Sequence, residues 1–334
     1  MELNDCLGKN DKFQQTINYR PMNTDNKINR RDALKRMGAT LLSGTIASYG
    51  LLSLTSCEAK KNKRIIFYFT GTGNSLYIAR QLAGENTELL SIPQLVKHEK
   101  YEFEADEIGI VYPIYGHMPP NMVRQFIQKT KLNAKYKFAV LTYGARKCDA
   151  VEIWDRISRK AGYAFDYINT IIMVDNWLPG FDMNEQLQID KHIPENLQKI
   201  TADIDGQKHW HEPVTEEERQ MHQGFLQRSG LDPEVGFVLK SEKHFTVTDK
   251  CVGCGICTHV CPRGNYAMTS TGVETSGDCE CCFACIQNCP QKAIQFLRSA
   301  DEPFPNGTEK NPNARYRNKH VSLLSIQRAN NQVL

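Results

Sequence analysis

Eight of the twelve cysteines in this chain fall into two copies of one run, Cys-x2-Cys-x2-Cys-x3-Cys-Pro. The first copy is Cys251, Cys254, Cys257, Cys261 and Pro262; the second is Cys279, Cys282, Cys285, Cys289 and Pro290. Each ligand of the first has its mate 28 positions further on, as a duplicated half-domain requires. Three thiolates in the tight Cys-x2-Cys-x2-Cys loop wrap three corners of an iron-sulfur cubane, while the fourth cysteine of the run points away to the other cluster. By that rule Cys251, Cys254, Cys257 and Cys289 hold one [4Fe-4S] cluster, and Cys279, Cys282, Cys285 and Cys261 hold a second. Each proline ends the turn after its crossing cysteine. Structural zinc uses four-cysteine sites of different spacing, and disulfide frameworks belong to small secreted domains. The duplicated run with both prolines favours the clusters over either rival.

With all ten motif positions in place, the segment 245–296 resembles the bacterial two-cluster ferredoxins. Cys281, squeezed beside Cys282, departs from the pattern; counting from it would break the x2 spacing, so it reads as a spare thiol near a cluster. A chain of 334 residues is far longer than one such module, and the prior is two or three domains. The 41 basic and 38 acidic residues nearly balance, which gives no electrostatic case for nucleic acid.

A second site opens the α/β region. Arg64 to Phe69 is an apolar, β-rich run that predicts a buried first strand of a parallel sheet. It leads into Thr70, Gly71, Thr72, Gly73, Asn74 and Ser75, and then into a segment with apolar residues at helical spacing. A strand, a hydroxyl-and-glycine loop and a helix N-terminus together seat a phosphate: the glycines allow close approach, and amides and hydroxyls donate to the anion. The loop is no Walker A motif, for no Gly-Lys-[Ser/Thr] follows, and Leu76 stands where a Rossmann fingerprint needs a third glycine. Two more inner strands are predicted, 107–112 and 137–142. They run into Tyr112, Pro113, Ile114, Tyr115 and Gly116, and into Tyr143, Gly144 and Ala145. Ligands of open α/β sheets lie outside these carboxyl ends; a packed loop aromatic is the plainer reading of any single tyrosine.

These three loops, in this order, resemble the flavodoxin family over residues 64–177. The resemblance implies a doubly wound parallel sheet of order 2-1-3-4-5, with 88–92 as second strand and 167–174 as fifth. It assigns Thr70 to Ser75 to the FMN phosphate and the loops Tyr112 to Gly116 and Tyr143 to Ala145 to the isoalloxazine, leaving open which tyrosine stacks on the ring. The expected fold class is thus a flavodoxin-like α/β domain joined to a small α+β two-cluster ferredoxin domain.

The expected layout is a signal region 1–57, a tether 58–63, a flavodoxin-like domain 64–181, a helical connector 182–243, a ferredoxin domain 244–297 and a tail 298–334. The connector is polar and shows no catalytic constellation; His209, His211 and His222 read as surface histidines. The tail has loop composition and ends in a short helix near 320–329. The arrangement resembles the flavodoxin/ferredoxin fusion proteins of anaerobic bacteria.

Asn29-Arg30-Arg31-Asp32-Ala33-Leu34-Lys35 resembles a twin-arginine export signal, followed by a mildly apolar stretch 38–56 and by Leu54-Thr55-Ser56-Cys57, which resembles a lipoprotein box. The stretch is too polar to read as a membrane span, and Met22 is an alternative start. The expectation is an exported lipoprotein facing the periplasm and anchored through Cys57; the alternative is a cytoplasmic protein with a buried N-terminal helix. Two [4Fe-4S] clusters and FMN together imply electron transfer with a partner redox protein, of either direction. The rival is a flavin-dependent reductase of a small molecule fed by the clusters, with His117 and Tyr143 as proton donors in the ring loops. A cofactor-free binding lipoprotein is the third reading.

Overall fold

The structure, a computed structural model, describes residues 62–232, 236, 239–240, 244–270, 272–296 and 309–333. The twin-arginine motif, the lipoprotein box with Cys57 and most of the tether lie outside the described residues. Among the described residues no helix is long and apolar enough to cross a membrane.

Five parallel strands carry the α/β part: β1 (Arg64–Tyr68), β2 (Thr87–Ser91), β3 (Glu107–Pro113), β4 (Tyr136–Tyr143) and β5 (Tyr167–Ile172). Their order is 2-1-3-4-5, the flavodoxin-like order, and a short parallel strand β6 (Trp210–His211) is added beside β5. Because side chains alternate along a strand, β1 sends Ile65 and Phe67 to one face and Ile66 to the other. On the first face α3 (Asn121–Lys129) and α4 (Ala150–Lys160) bury Phe126, Ile127, Trp154 and Ile157. On the second, α1 (Asn74–Gln81) contributes Ile78 and Ala79, and α5 (Ile193–Asp205) contributes Leu197, Ile200 and Ile204. Between them in sequence, α2 (Ile92–Lys97) follows β2. The segment expected to be a connector therefore supplies the sheet with a sixth strand and a covering helix. It continues into α6 (Glu216–Ser229), which starts on a complete capping box between Thr215 and Glu218.

The same alternation corrects one expectation. Ile108, Ile110 and Tyr112 share a face of β3, so Tyr112 enters the core rather than the loop; it is 0% exposed and packs on Trp154 with ring centroids 5.0 Å apart. The predicted end of the strand lay at this residue, whereas pairing with β4 runs on to Pro113.

The cysteine-rich part contains the antiparallel pairs β7 (Phe245–Val247) with β10 (Ile294–Phe296) and β8 (Tyr266–Thr269) with β9 (Gly272–Thr275), and Asp278–Cys279 pairs antiparallel with Leu239–Lys240. Two short helices, α7 (Ile256–Val260) and α8 (Ala284–Gln287), follow the two cysteine loops. Its apolar side chains Phe283, Ile286, Ile294 and Phe296 belong to the same continuous core as Phe67, Tyr112 and Trp154. At the junction the buried Glu280 accepts from the amide of Met122 at 2.9 Å and pairs with Arg263 at 2.5 Å, so neither charge is buried alone. The tail closes the unit with α9 (Leu323–Asn330), packed on both α7 and α2.

Candidate functional site

The loop after β1 turns into α1 at Gly73, which holds a left-handed φ of 101°. The first-turn amides of a helix have no acceptor inside it, and the first-turn residues Asn74 and Ser75 line a cavity of about 340 Å³. Thr70, Gly71 and Thr72 line the same cavity. Gly73 does not: its Cα faces Val321 and Asn318 of the tail. The loop is held rigidly. Thr70 Oγ1 accepts from the Gly73 amide at 3.1 Å, Ser75 Oγ meets Thr142 Oγ1 at 2.8 Å, and Thr72 Oγ1 accepts from Asn176 at 2.7 Å. From behind, Tyr316 and Asn318 donate to Asn74 Oδ1, and Asn330 donates to the carbonyl oxygens of both Thr70 and Val260.

Pro113, Ile114, Tyr115 and Gly116 line the other end, facing Tyr143, Gly144 and Ala145. Tyr115 and Met118 exchange both backbone hydrogen bonds across Gly116 and His117, whose φ values are 54° and 67°. A two-residue turn with both central residues at positive φ twists with the strands it joins, at a steric cost that glycine avoids and His117 does not. Tyr115 also stands against the cysteine loop: burial first, then the thiols of Cys282 and Cys281, hold its phenol well above the ordinary value.

Three walls were not legible as such in the sequence. The loop after β5 brings Asp175, Asn176 and Trp177; burial raises the Asp175 carboxyl above its ordinary range, and its Oδ1 accepts from the Trp177 amide at 2.9 Å. The helix α6 adds Met221, Phe225 and Ser229 to the lining, residues spaced four apart and hence on one face. The cysteine-rich part supplies Cys281 and Phe283, with Phe283 stacked on Trp177 at 5.2 Å. Gly71 marks the closest approach: a Cβ there would stand 2.5 Å from the Cys282 carbonyl oxygen. The spare thiol thus lies between the second cysteine set and the cavity.

His222 overturns its expected surface position. It is 2% exposed, its Nδ1 lies 2.5 Å from Asp149 Oδ1, and its ring sits edge-on to His117 at 5.1 Å. Asp149 and His222 are 73 residues apart, so no local pattern could pair them. His209 remains exposed.

The cysteines gather in two places. Cys251, Cys254, Cys257 and Cys289 surround a cleft of about 20 Å³. Cys261, Cys279, Cys282 and Cys285 lie deeper and close enough that, after burial, they push one another's thiols up in pKa. Backbone amides donate to sulfur from Asn265 to Cys261, from Cys281 to Cys279 and from Ala293 to Cys289, at 3.2 to 3.3 Å. Such bonds stabilise thiolate and tune a cluster's potential. Cys148 is a buried thiol apart from these, pushed up to about 11 by burial. Among the described residues no three His, Cys, Asp or Glu converge on one point as a single metal ion needs; a cubane, with its corners spread, asks for no such convergence. The cysteine groups fit 4Fe-4S ligation, and the hydroxyl-and-glycine loop with the aromatic walls fits a phosphorylated flat ring.

Residues 65–162 match the family model of the flavodoxin domain, and residues 245–266 match that of the 4Fe-4S binding domain. Fold and site together define a flavodoxin domain joined to a 4Fe-4S domain, the general design of an electron-transfer flavo-iron-sulfur protein. Among solved structures, two-electron reduced Megasphaera elsdenii flavodoxin is 17% identical, TM-score 0.24, over 32% of this chain and 84% of that one. A Lactobacillus acidophilus flavoprotein in complex with FMN is 12% identical, TM-score 0.25, over 33% and 93%. An NAD(P)H:quinone oxidoreductase from Methanothermobacter marburgensis is 12% identical, TM-score 0.28, over 46% and 99%. Likeness this low decides nothing about ligand or reaction. No curated protein matches the chain.

Proposed function

We propose that this protein passes electrons between FMN and two [4Fe-4S] clusters, to or from a partner redox protein. The observation that carries the reading is the shared wall. Cys281 and Phe283, beside the inner cysteine set, line the cavity of the phosphate loop, and Gly71 touches the backbone of Cys282. Thr70, Gly71, Thr72, Asn74 and Ser75 hold the phosphate, and Tyr115, Gly116, Tyr143, Gly144, Ala145 and Trp177 enclose the ring. Cys251, Cys254, Cys257 and Cys289 hold an outer cluster; Cys279, Cys282, Cys285 and Cys261 hold an inner one. Cys254 is exposed while Cys261, Cys282 and Cys285 are buried, so the outer cluster faces the partner. A flavin takes or gives electrons singly or in pairs, and the clusters carry them one at a time. The chain's own work is to fix the ring beside Cys281 and to exclude water from the inner set.

The test is an anaerobic preparation of residues 58–334 with iron, acid-labile sulfide and extracted flavin counted per chain. About eight irons with one FMN is the expected result; eight irons without flavin would remove the flavin half of the reading.

The lining of the cavity by Met221, Phe225 and Ser229 favours a second reading, a reductase of a small molecule that enters beside the ring. Turnover of added small oxidants faster than transfer to a protein acceptor distinguishes the two. We place the redox part outside the cytoplasmic membrane, held by acylated Cys57 after twin-arginine export. An unmodified N-terminus in the mature chain removes that placement.

A further inference from the structure

A cavity walled by aromatic rings and by a helix has a problem that its electrons do not solve. Two-electron reduction of a flavin places at least one proton on the ring system, and reoxidation takes it off again. That proton needs a donor and an acceptor at the cavity wall. His117 is one titratable group of this wall, which also holds Asp175, Tyr115, Tyr143 and Cys281, and its Nδ1 is buried with no hydrogen-bond partner among the described residues. Edge-on to it stands His222, whose Nδ1 is bonded to Asp149 and whose Nε2 is likewise buried and unpartnered. Two buried, orphaned ring nitrogens on adjoining imidazoles are costly, for each forfeits a hydrogen bond that water would have supplied.

Asp149 makes a second sacrifice. It stands at the N-cap of α4, where an aspartate ordinarily accepts from the helix's own first amides. Here its side chain makes no cap bond and holds His222 instead. His117 itself is kept at a positive φ within the Tyr115 to Met118 turn. Strain, a forgone cap and two unpaired nitrogens all sit within one array whose outer end, Asp149, is 19% exposed and whose inner end borders the cavity.

We propose that Asp149, His222 and His117 form a proton path between solvent and the flavin cavity, resting on the flavin reading given above. His222 in its protonated form passes its Nε2 proton to Nδ1 of His117 through one water between the two nitrogens, which make no direct hydrogen bond, and His117 releases the proton on its own Nε2 into the cavity. One proton enters at Asp149 for each one delivered; reoxidation runs the sequence backwards. The electrons come from the clusters and the partner protein. Burial, and then the neighbouring His222, lower the His117 pKa to about 4, opposed by Asp149 and assisted by Arg146. His117 therefore carries protons without storing one at neutral pH, as a relay requires.

The test compares the holoprotein with His222→Ala and Asp149→Asn, each checked first for flavin and iron content. Cluster and flavin bleaching are followed separately by stopped flow with dithionite, in H2O and D2O. The expected result is a flavin phase slowed by roughly 100-fold, the order a positioned acid–base group contributes, with the cluster phase unchanged and the loss in His222→Ala restored by added imidazole. Should His222→Ala fail to fold, Asp149→Asn carries the test through the rate and its altered solvent isotope effect. Unchanged flavin rates in variants that keep their flavin overturn the path while leaving the proposed function intact, as does a slowed phase that neither imidazole nor D2O affects. A wild-type protein without flavin overturns both.

Discussion

At the scale of single residues, Tyr112 and His117 separate what fills the core from what faces the cavity. The Tyr112 hydroxyl is buried without a partner among the described residues, and an unmet polar group of this kind costs about 1–3 kcal/mol. Tyr112→Phe is therefore expected to leave flavin content unchanged and to hold or raise the midpoint of thermal unfolding; loss of flavin would return the residue to the site. His117 predicts a pH dependence with a definite sign. Its folded-state pKa is near 4 against an ordinary 6.5, so between these values the unfolded chain binds more protons than the folded one. The stabilisation is fully present above about pH 6.5 and falls as pH drops towards 4, by an amount on the order of 3 kcal/mol. Unfolding midpoints measured anaerobically from pH 7 to 5 should decline less steeply in His117→Asn than in the wild type. Parallel slopes would place the titrating group elsewhere.

At the scale of elements, α6 shows how a polar helix becomes part of a site. Its charged residues and weak apolar stripe read as a surface helix, yet Met221, Phe225, Arg228 and Ser229 line the cavity. What orients it is the capping box at one end and the Asp149 to His222 bond near its middle. Thr215→Ala removes an N-cap worth about 0.5–2 kcal/mol. Hydrogen exchange should quicken in the amides of the first turns of α6, with little change in α3 or α4. Uniform protection across all three would show that tertiary contacts alone hold the helix. The β1-to-α1 loop is the opposite case. Its strand, glycines and helix start were plain in sequence because strand and helix periodicities and the hydroxyl-and-glycine string are local. Its clamp by Tyr316, Asn318 and Asn330 was not, because those bonds span 242 to 260 residues.

At the scale of the molecule, the two halves are not beads on a string. Phe283 and Phe296 share one core with Phe67 and Trp154, and α9 bridges α2 and α7. Metal ligation supplies folding free energy to the loops that carry it. Removing iron should therefore loosen the wall formed by Cys281 and Phe283 and speed the loss of flavin. Flavin fluorescence recorded during anaerobic chelation checks this: release that tracks iron loss is expected, and retention through complete iron loss would mean that the α/β part holds its ligand alone. Such coupling also reaches the segment 182–243. A connector rich in Gln, Glu and Lys still carries Leu197, Ile200 and Ile204, enough to cover one face of the sheet.

Sequence alone determined the spacing of the cysteine runs and the strand-loop-helix at Thr70 to Ser75, since each is encoded within a short stretch of chain. The order of the parallel strands was legible only through the resemblance to the flavodoxin family. Only tertiary structure decided that Tyr112 turns inward, that Cys281 and Phe283 close the cavity, and that His222 meets His117. Those outcomes depend on which buried faces adjoin once several elements pack together, and packing joins residues whose separation along the chain leaves no periodic trace.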